Sequence, residues 1–336
     1  MLQPPDTVAT SLSGEGCYQL LLHAHEPTTE QKRESIVRDG LHNLHVVLDF
    51  DHTITAYLSP SGNGELCHEC HDVLQHGPYS PDQRRRSFRA DIDAVWSDQR
   101  EGRLGHISEW WLRFHGAIIS HGLTRDDVRE AVAASNSVLR PGAVELLGWL
   151  RKHGVRTTIV SAGVSTVIEE ILRRNCIELH EHAQVLANVP VWNEKGVAVA
   201  FEEPLIHSRN KPEVLQMMGL GTKGRAVLNA DKDVQNVVLA GNSIGDATIL
   251  NSLDHRHSLS FGFLHEEVRS SVRAVYETLD DNDKYHPLSE EGNKKLQEFF
   301  QYYDVVSCGK ETDFRFLLDL FHEIEEQHQG DSLSAI

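Results

Sequence analysis

Residues 44–55 read Leu-His-Val-Val-Leu-Asp-Phe-Asp-His-Thr-Ile-Thr, and no other stretch restricts the fold as tightly. Val46, Val47 and Leu48 form an apolar run that stops without transition at Asp49. A short run of this kind, β-branched and without alternation, is buried on both faces, which calls for a parallel sheet covered by helices on either side. Three further segments repeat the pattern. RTTIVSAG (156–163) follows a helix-like VELLGWLRKHG that ends at Gly154; NVVLAGNSIGD (236–246) breaks into a polar turn; YDVVSCG (303–309) precedes the helical period DFRFLLDLF. Strands alternating with helices predict an α/β fold, a doubly wound parallel sheet. Polar residues cluster just past the C-terminal ends of these strands, where open sheets of this type place their ligand crevice.

The stretch between the first two strands differs in character. Residues 57–135 show helical patterns in PDQRRRSFRADIDAVWSDQREG (81–102), HISEWWLRFHGAIISHG (106–122) and TRDDVREAVAAS (124–135), the last with Thr124 as N-cap, and no strand-like alternation. They are expected to form a helical cap inserted into a core of residues 17–56 and 136–336. Residues 1–16, with Pro4-Pro5, Gly14 and Gly16, read as a mobile leader, and 17–41 as a helix closed by Gly40. NVPVWNEKGVAVAFEE (188–203) alternates and turns at 194–196, a hairpin signal.

Charge narrows the function classes. With 32 basic against 50 acidic residues the net charge is −18, a field that repels nucleic-acid backbones and anionic lipid, so no nucleic-acid polymer and no membrane is expected as a partner. No apolar run approaches the roughly 20 residues of a membrane span. The N-terminus has no basic flank leading into an apolar stretch, and the five cysteines (17, 67, 70, 176 and 308) do not form a disulfide framework. A cytoplasmic location is expected. An anionic substrate would then need a local cationic site.

The strand ends supply the chemistry. A carboxylate such as Asp49, just past a buried strand, can attack phosphorus and share a divalent cation with other oxygens. Asp51, two residues on, can protonate a leaving oxygen. Ser161, with the amides of Ala162 and Gly163, can hold phosphate oxygens; Ser165 before TVIEEILRR is the better helix cap. Lys211 precedes a helix begun by Pro212, and Asn242 and Asp246 follow the strand VVLAG.

The D-x-D-x-T of residues 49–53 resembles the signature of the haloacid dehalogenase (HAD) superfamily, whose members form a phospho-aspartate. CHECH (67–71), EWW-x-x-FHG (109–116), SAG (161–163), HSRNK (207–211), GNSIGD and YDVV together resemble the cytosolic 5′-nucleotidase III (pyrimidine 5′-nucleotidase) family over most of residues 44–325. The resemblance implies a HAD-like core and Mg2+-dependent hydrolysis of pyrimidine or 7-methylguanosine nucleoside 5′-monophosphates. Asp49 would be nucleophile and metal ligand. Asp51 would be the acid/base and a metal ligand through its main-chain carbonyl. Ser161, Ala162, Gly163 and Lys211 would bind phosphate, and Asn242 and Asp246 would complete the metal site. This chain departs from the family at three places. Asn242 stands where the last motif carries its first acid, Asp91 (or Asp93) where a cap glutamate contacts the base, and Phe114 where a serine precedes His-Gly. Phe114, Trp110 and Trp111 can either stack on a base or fill the helix core. C-x-x-C-H also occurs in haem attachment and as half of a zinc site, but the start of the first cap helix accounts for CHECH better. Another small phosphomonoester as substrate, or a weakly catalytic nucleotide-binding homologue on account of Asn242, are the alternatives.

Overall fold

The computed structural model describes residues 9–12, 19–23, 28–220, 235–266 and 289–334. Its strands, in chain order, are β1 (Ala9–Leu12), β2 (Gln19–His23), β3 (Leu44–Leu48), β4 (Arg156–Val164), β5 (Ala183–Asn188), β6 (Pro190–Trp192), β7 (Ala198–Phe201), β8 (Asn236–Gly241), β9 (His257–Leu264) and β10 (Val305–Cys308). The main sheet runs β1-β2-β10-β9-β8-β3-β4-β5, parallel from β10 to β5, with β1 and β2 added antiparallel at one edge. The central strand β3 is buried at every residue. Its side chains divide between the two faces: Val46 and Leu48 join one apolar cluster with Val238 and Ala240 of β8, while Val47 joins another with Val237 and Leu239. The continuous apolar runs are thus two alternating half-cores laid into one strand.

The four strands expected from sequence all form, and the sheet is the doubly wound α/β arrangement expected. Two strands of the parallel sheet carry weaker signals. β5 is the edge strand and mostly half-buried. β9 hides a polar residue: Ser260 is buried, with its main-chain N–H and its hydroxyl both donating to Asp304 Oδ2 at 3.0 Å. The helix expected over 17–41 divides. Gln19–His23 instead pairs with β10, and helix α1 occupies Thr28–Asp39. The Gln-Leu-Leu-Leu-His run closes the otherwise open edge of β10, a gain no local pattern reveals. The stretch read as a leader contains β1, paired with β2; the rest of residues 1–16 lies outside the described residues.

Residues 57–135 hold α2 (Cys70–Gln75), α3 (Asp82–Arg100), α4 (Ile107–Ser120) and α5 (Arg125–Ala134). Their entry and exit lie side by side, because Thr55 bridges Leu139 and Ala56 N donates to Val138 O at 2.9 Å. Thr124 caps α5 with a reciprocal bond from Asp127, whose carboxylate also takes both terminal nitrogens of Arg84 at 2.9 and 2.7 Å, pinning α3 to α5. The β6–β7 hairpin forms at the expected place and joins the cap: Ala198 N donates to Leu123 O at 2.9 Å. Beyond the cap, α6 (Ala143–Lys152), α7 (Ser165–Arg174) and α8 (Lys211–Leu220) follow, then helices Ile244–Ala247, Glu290–Phe299 and Arg315–Ser334. Ser165 is the first residue inside α7, with Val164 at the capping position.

His45 on β3 is buried and hydrogen-bonded through Nε2 to Thr158 Oγ1 at 2.9 Å. Burial, aided by the Arg156 charge, drives its pKa down to about 3. An unfolded histidine takes up a proton near pH ~6.5, so below that pH the unfolded state binds a proton the folded state refuses, and stability falls as pH drops. We expect the stability difference between wild type and His45→Leu to shift toward the variant by up to about 1.4 kcal/mol per pH unit between pH ~6.5 and ~5. Thermal melts across that range test this; a pH-independent difference would show that folding does not keep His45 neutral.

Candidate active site

Four loops meet at the C-terminal edge of the parallel strands. The first leaves β3. Asp49 N still donates to Ala240 O of β8 at 2.9 Å, and the chain then makes a tight turn over Phe50–Ile54 in which Thr55 N returns to Phe50 O at 3.0 Å. His52 in this turn has φ +56°, the left-handed region, and its N–H donates to Thr55 Oγ1 at 2.8 Å. The second loop is Ser161-Ala162-Gly163 at the end of β4, where the pairing with β5 is interrupted between Val160 and Val164. Ser161 is buried, and its Oγ accepts from Gly163 N at 2.9 Å. A side chain at Gly163 would sit 2.6 Å from Cys70 Sγ and 3.0 Å from Asp51 Oδ2, so glycine is required for the first two loops to approach each other.

The third loop delivers Lys211 at the first position of α8. Its Nζ donates to Asp49 Oδ1 at 2.6 Å, to Asp246 Oδ1 at 2.5 Å and to Val160 O at 3.1 Å. All three side chains are buried. The fourth loop, Asn242–Asp246, begins a one-turn helix in which Asp246 Oδ2 accepts from Asn242 N, Ser243 N and Ser243 Oγ at 3.1, 2.9 and 2.7 Å. A Cβ on Gly245 would meet Ser208 O at 1.9 Å, so this loop lies directly against the one that carries Lys211.

The electrostatics follow from that crowding. Burial and the Asp246 charge push the Asp49 carboxyl up against the pull of Lys211, whose ammonium the two carboxylates hold charged despite its own burial. Burial, then the charges of Glu69 and Asp49, raise Asp51 to about 7. Glu69 is about half exposed, so water screens its share. His52 Nδ1 faces Glu69 Oε1 at 3.2 Å and its Nε2 lies 3.0 Å from Cys67 O. Two acceptors on the two ring nitrogens favour the imidazolium, and the Glu69 contact raises the His52 pKa against burial. Acids outnumber bases here, and a divalent cation would relieve the excess. Among the described residues no three His, Cys, Asp or Glu side chains form a ready metal cage. A cation would therefore need mixed oxygen donors, and Asp49, the Asp51 carbonyl and the Asn242 amide are of the hard type Mg2+ accepts. Both oxygens of Asp246 are already engaged.

Asp49, Asp51, Ser161, Gly163, Lys211 and Asp246 are thus brought together as expected from sequence. Two expected cap contacts are not. Phe114 is wholly buried, edge-on to His71 and Phe88, because it lies on the Trp110–Phe114–Ala117–Ile118 stripe that α4 turns into the cap core. Asp91 is exposed and spends its carboxylate on His121 Nε2 at 2.6 Å; Asp93 accepts from Gln75 Nε2 at 3.0 Å. Other residues matter that the sequence did not single out. Asn188, buried at the end of β5, donates to Ala162 O at 2.7 Å and to Ile206 O at 2.9 Å, and accepts from Ile206 N at 2.8 Å. It locks the serine loop to the chain leading into Lys211. Two residues the sequence did raise take other roles: Trp111, offered for base stacking or core packing, donates from Nε1 to Ala162 O at 3.1 Å and ties the cap to the same loop, and Cys70 of CHECH donates from its main-chain N to Asp51 Oδ1 at 3.0 Å. A strand-end asparagine was the only available signal for Asn188.

Replacing Lys211 with methionine leaves Asp49 and Asp246 buried without their shared cation. We expect a loss of about 3–5 kcal/mol without metal, the cost of breaking a buried pair, and partial recovery on adding Mg2+. Denaturant melts with and without Mg2+ test this, and an unchanged midpoint would contradict the ion triad.

Comparison with known proteins gives the family and the fold. Residues 52–284 match the model of the pyrimidine 5′-nucleotidase (UMPH-1) family. The 7-methylguanosine phosphate-specific 5′-nucleotidase of Gallus gallus is 28% identical over 263 residues, 74% of this chain and 86% of its own length. The Homo sapiens protein of the same name is 24% identical over 250 residues, 72% and 80% of the two chains. The crystal structure of cytosolic 5′-nucleotidase IIIB bound to cytidine shares the fold with a TM-score of 0.71 at 19% identity, covering 92% of this chain and 95% of that one. With more than half of its length matched, the chain belongs to the pyrimidine 5′-nucleotidase (UMPH-1) family of phosphatase-type hydrolases.

Proposed function

We propose that this protein is a Mg2+-dependent 5′-nucleotidase that hydrolyses nucleoside 5′-monophosphates of the pyrimidine or 7-methylguanosine type through a phospho-aspartate at Asp49. The observation that carries this reading is the contact of Lys211 with Asp49 at 2.6 Å, in a crevice shared with Ser161–Gly163 and Asp51. The relatives' names supply the substrate class. Among the described residues no helix is long and apolar enough to cross a membrane; the cytoplasmic location is read from the name of a relative, the putative cytosolic 5′-nucleotidase 3 of Caenorhabditis elegans.

The steps follow from the residues. Ser161 Oγ and the amides after it bind the phosphate, and Lys211 neutralises charge on its equatorial oxygens. Asp49 attacks phosphorus in line while Asp51, raised toward neutrality and so able to hold a proton, protonates the departing 5′-oxygen. Asp51, now a carboxylate, takes a proton from the water that hydrolyses the aspartyl phosphate. Mg2+, when bound by Asp49, the Asp51 carbonyl and Asn242, supplies further neutralisation of the phosphate. Asp246 serves behind it as the fixed partner of Lys211. The cap of residues 57–135 excludes water from the crevice, with Trp111 as its latch on Ala162.

One residue favours a second reading, a nucleotide-binding protein with weak turnover: Asn242 gives the cation a neutral oxygen where the family's motif has an acid. Three experiments separate the readings. Asp49→Asn should retain less than about 1% of turnover, because an amide is a far weaker nucleophile; substantial residual activity would falsify the covalent assignment. In a panel of phosphate monoesters, a non-nucleotide preferred about tenfold in kcat/KM, a difference of about 1.4 kcal/mol in transition-state binding, would redirect the substrate class. Asn242→Asp should lower the Kd for Mg2+ several-fold by calorimetry, since it restores a charge to the site; equal affinities would remove Asn242 from the metal site.

A further inference from the structure

Arg140, directly after the cap, is one of the largest fully buried side chains, at 2% exposure. Its main-chain N–H donates to Ile54 O at 2.8 Å. Its guanidinium turns back onto the same loop: Nε donates to Thr53 O at 2.6 Å and Nη2 to His52 O. The remaining face is also engaged. Nη1 donates to Thr312 Oγ1, Nη2 lies 3.2 Å from His265 Nε2, and the guanidinium carbon stacks 3.9 Å over the Phe263 ring. A charge taken this far from water is costly unless its hydrogen bonds are fixed. Here they converge on two successive carbonyls of the turn that carries Asp51.

That turn needs support. His52 holds φ +56° as a non-glycine residue, a conformation that costs on the order of 1–3 kcal/mol and persists only where the surroundings over-determine it. Asp49 is anchored independently, by its N–H on Ala240 O and by Lys211. Asp51 lies past the strand, and the peptides that follow it are the ones Arg140 grips. We propose that Arg140 is a positioning residue for the acid/base: its planar fork holds the left-handed turn at His52 and so sets the direction of the Asp51 carboxyl. This rests on the reading of Asp51 as the acid. Lysine cannot substitute, because a point charge lacks the fork that spans both carbonyls.

The leaving group tests it. A nucleoside 5′-oxygen leaves poorly unless protonated, whereas p-nitrophenolate departs without an acid. The full chain with Mg2+ is assayed as wild type, Arg140→Lys and Arg140→Met, measuring kcat/KM for the best nucleoside monophosphate and for p-nitrophenyl phosphate, with thermal melts alongside. A misaligned acid should cost about tenfold or more on the nucleotide for Arg140→Lys, and more for Arg140→Met, with less than about threefold lost on the aryl ester. Equal losses on both esters overturn the proposal and leave Arg140 a structural residue, as does failure of both variants to fold; no loss on either overturns it outright. Wild-type protein that turns over neither ester refutes the nucleotidase reading itself, an outcome distinct from all of these.

Discussion

One ammonium group organises this molecule. Lys211 Nζ lies between Asp49, 162 positions earlier, and Asp246, 35 positions later, and all three are out of solvent. Such an arrangement is unfavourable by default, since each ion gives up its hydration and the attraction between them only offsets that loss when the remaining lone pairs are satisfied. The surrounding backbone meets that condition. Asp246 is held by the amides of Asn242 and Ser243 just ahead of its own short helix, and Lys211 by the Val160 carbonyl as well as both acids. The parallel sheet makes this possible because the strands that lead into Asp49, Ser161 and Asp246 end at the same edge, to which the chain after the β6–β7 hairpin returns Lys211. β3, β4 and β8 are neighbours, in register from Leu48 to Ile159 and to Ala240.

The parts that were legible in the sequence share a physical origin. β3, β4, β8 and β10 each carry a short apolar run, so local composition betrays them, and the acids and glycines at their ends mark where the apolar run stops. Roles that depend on a distant partner were not legible. Asn188 reads as a polar residue at the end of an unremarked edge strand, and its meaning comes from Ala162 and Ile206. Arg140 reads as a surface-type cation ahead of a proline, and its meaning comes from carbonyls 87 and 88 positions earlier. β2 was read as helix because Gln19–His23 is defined by the edge of β10, almost 300 residues away in the chain (residues 305–308). Phe114 was ambiguous for a different reason: the helical period places it on a stripe, and only packing decides whether that stripe faces ligand or core.

The cap's interior is itself polar in a way that bears on how it meets the core. His71 and His115 lie buried with their Nε2 atoms 3.4 Å apart, and burial holds both well below the usual histidine pKa. Kept neutral, they behave as aromatic plates. His115 stacks on Phe201 of the β6–β7 hairpin at 3.9 Å, and His71 sits edge-on to Trp110, Trp111 and Phe114. The aromatic layer therefore runs from the hairpin through the cap to Trp111, whose indole N–H ends on the Ala162 carbonyl. The chain of contacts gives the cap a rigid route to the serine loop.

In the proposed mechanism the two carboxylates of the first loop take two different roles, and their surroundings differ accordingly. Asp49 and Asp51 share burial, which favours the protonated form of each. Their partners differ. Asp49 meets a full positive charge at 2.6 Å, so it has a counter-ion that favours the ionised carboxylate. Asp51 receives a neutral amide from Cys70 at 3.0 Å and a more distant influence from His52, and it also faces the Asp49 and Glu69 charges. It is therefore the better proton holder near neutrality. A pair whose environments differ in this way suits the proposed division into acid and nucleophile without any difference in residue type. The two-residue spacing matters because it is the shortest that places one acid against the Lys211 ammonium while carrying the next onto the turn gripped by Arg140. Moving Asp49 back by one position would turn its side chain to the opposite face of the strand, away from the crevice.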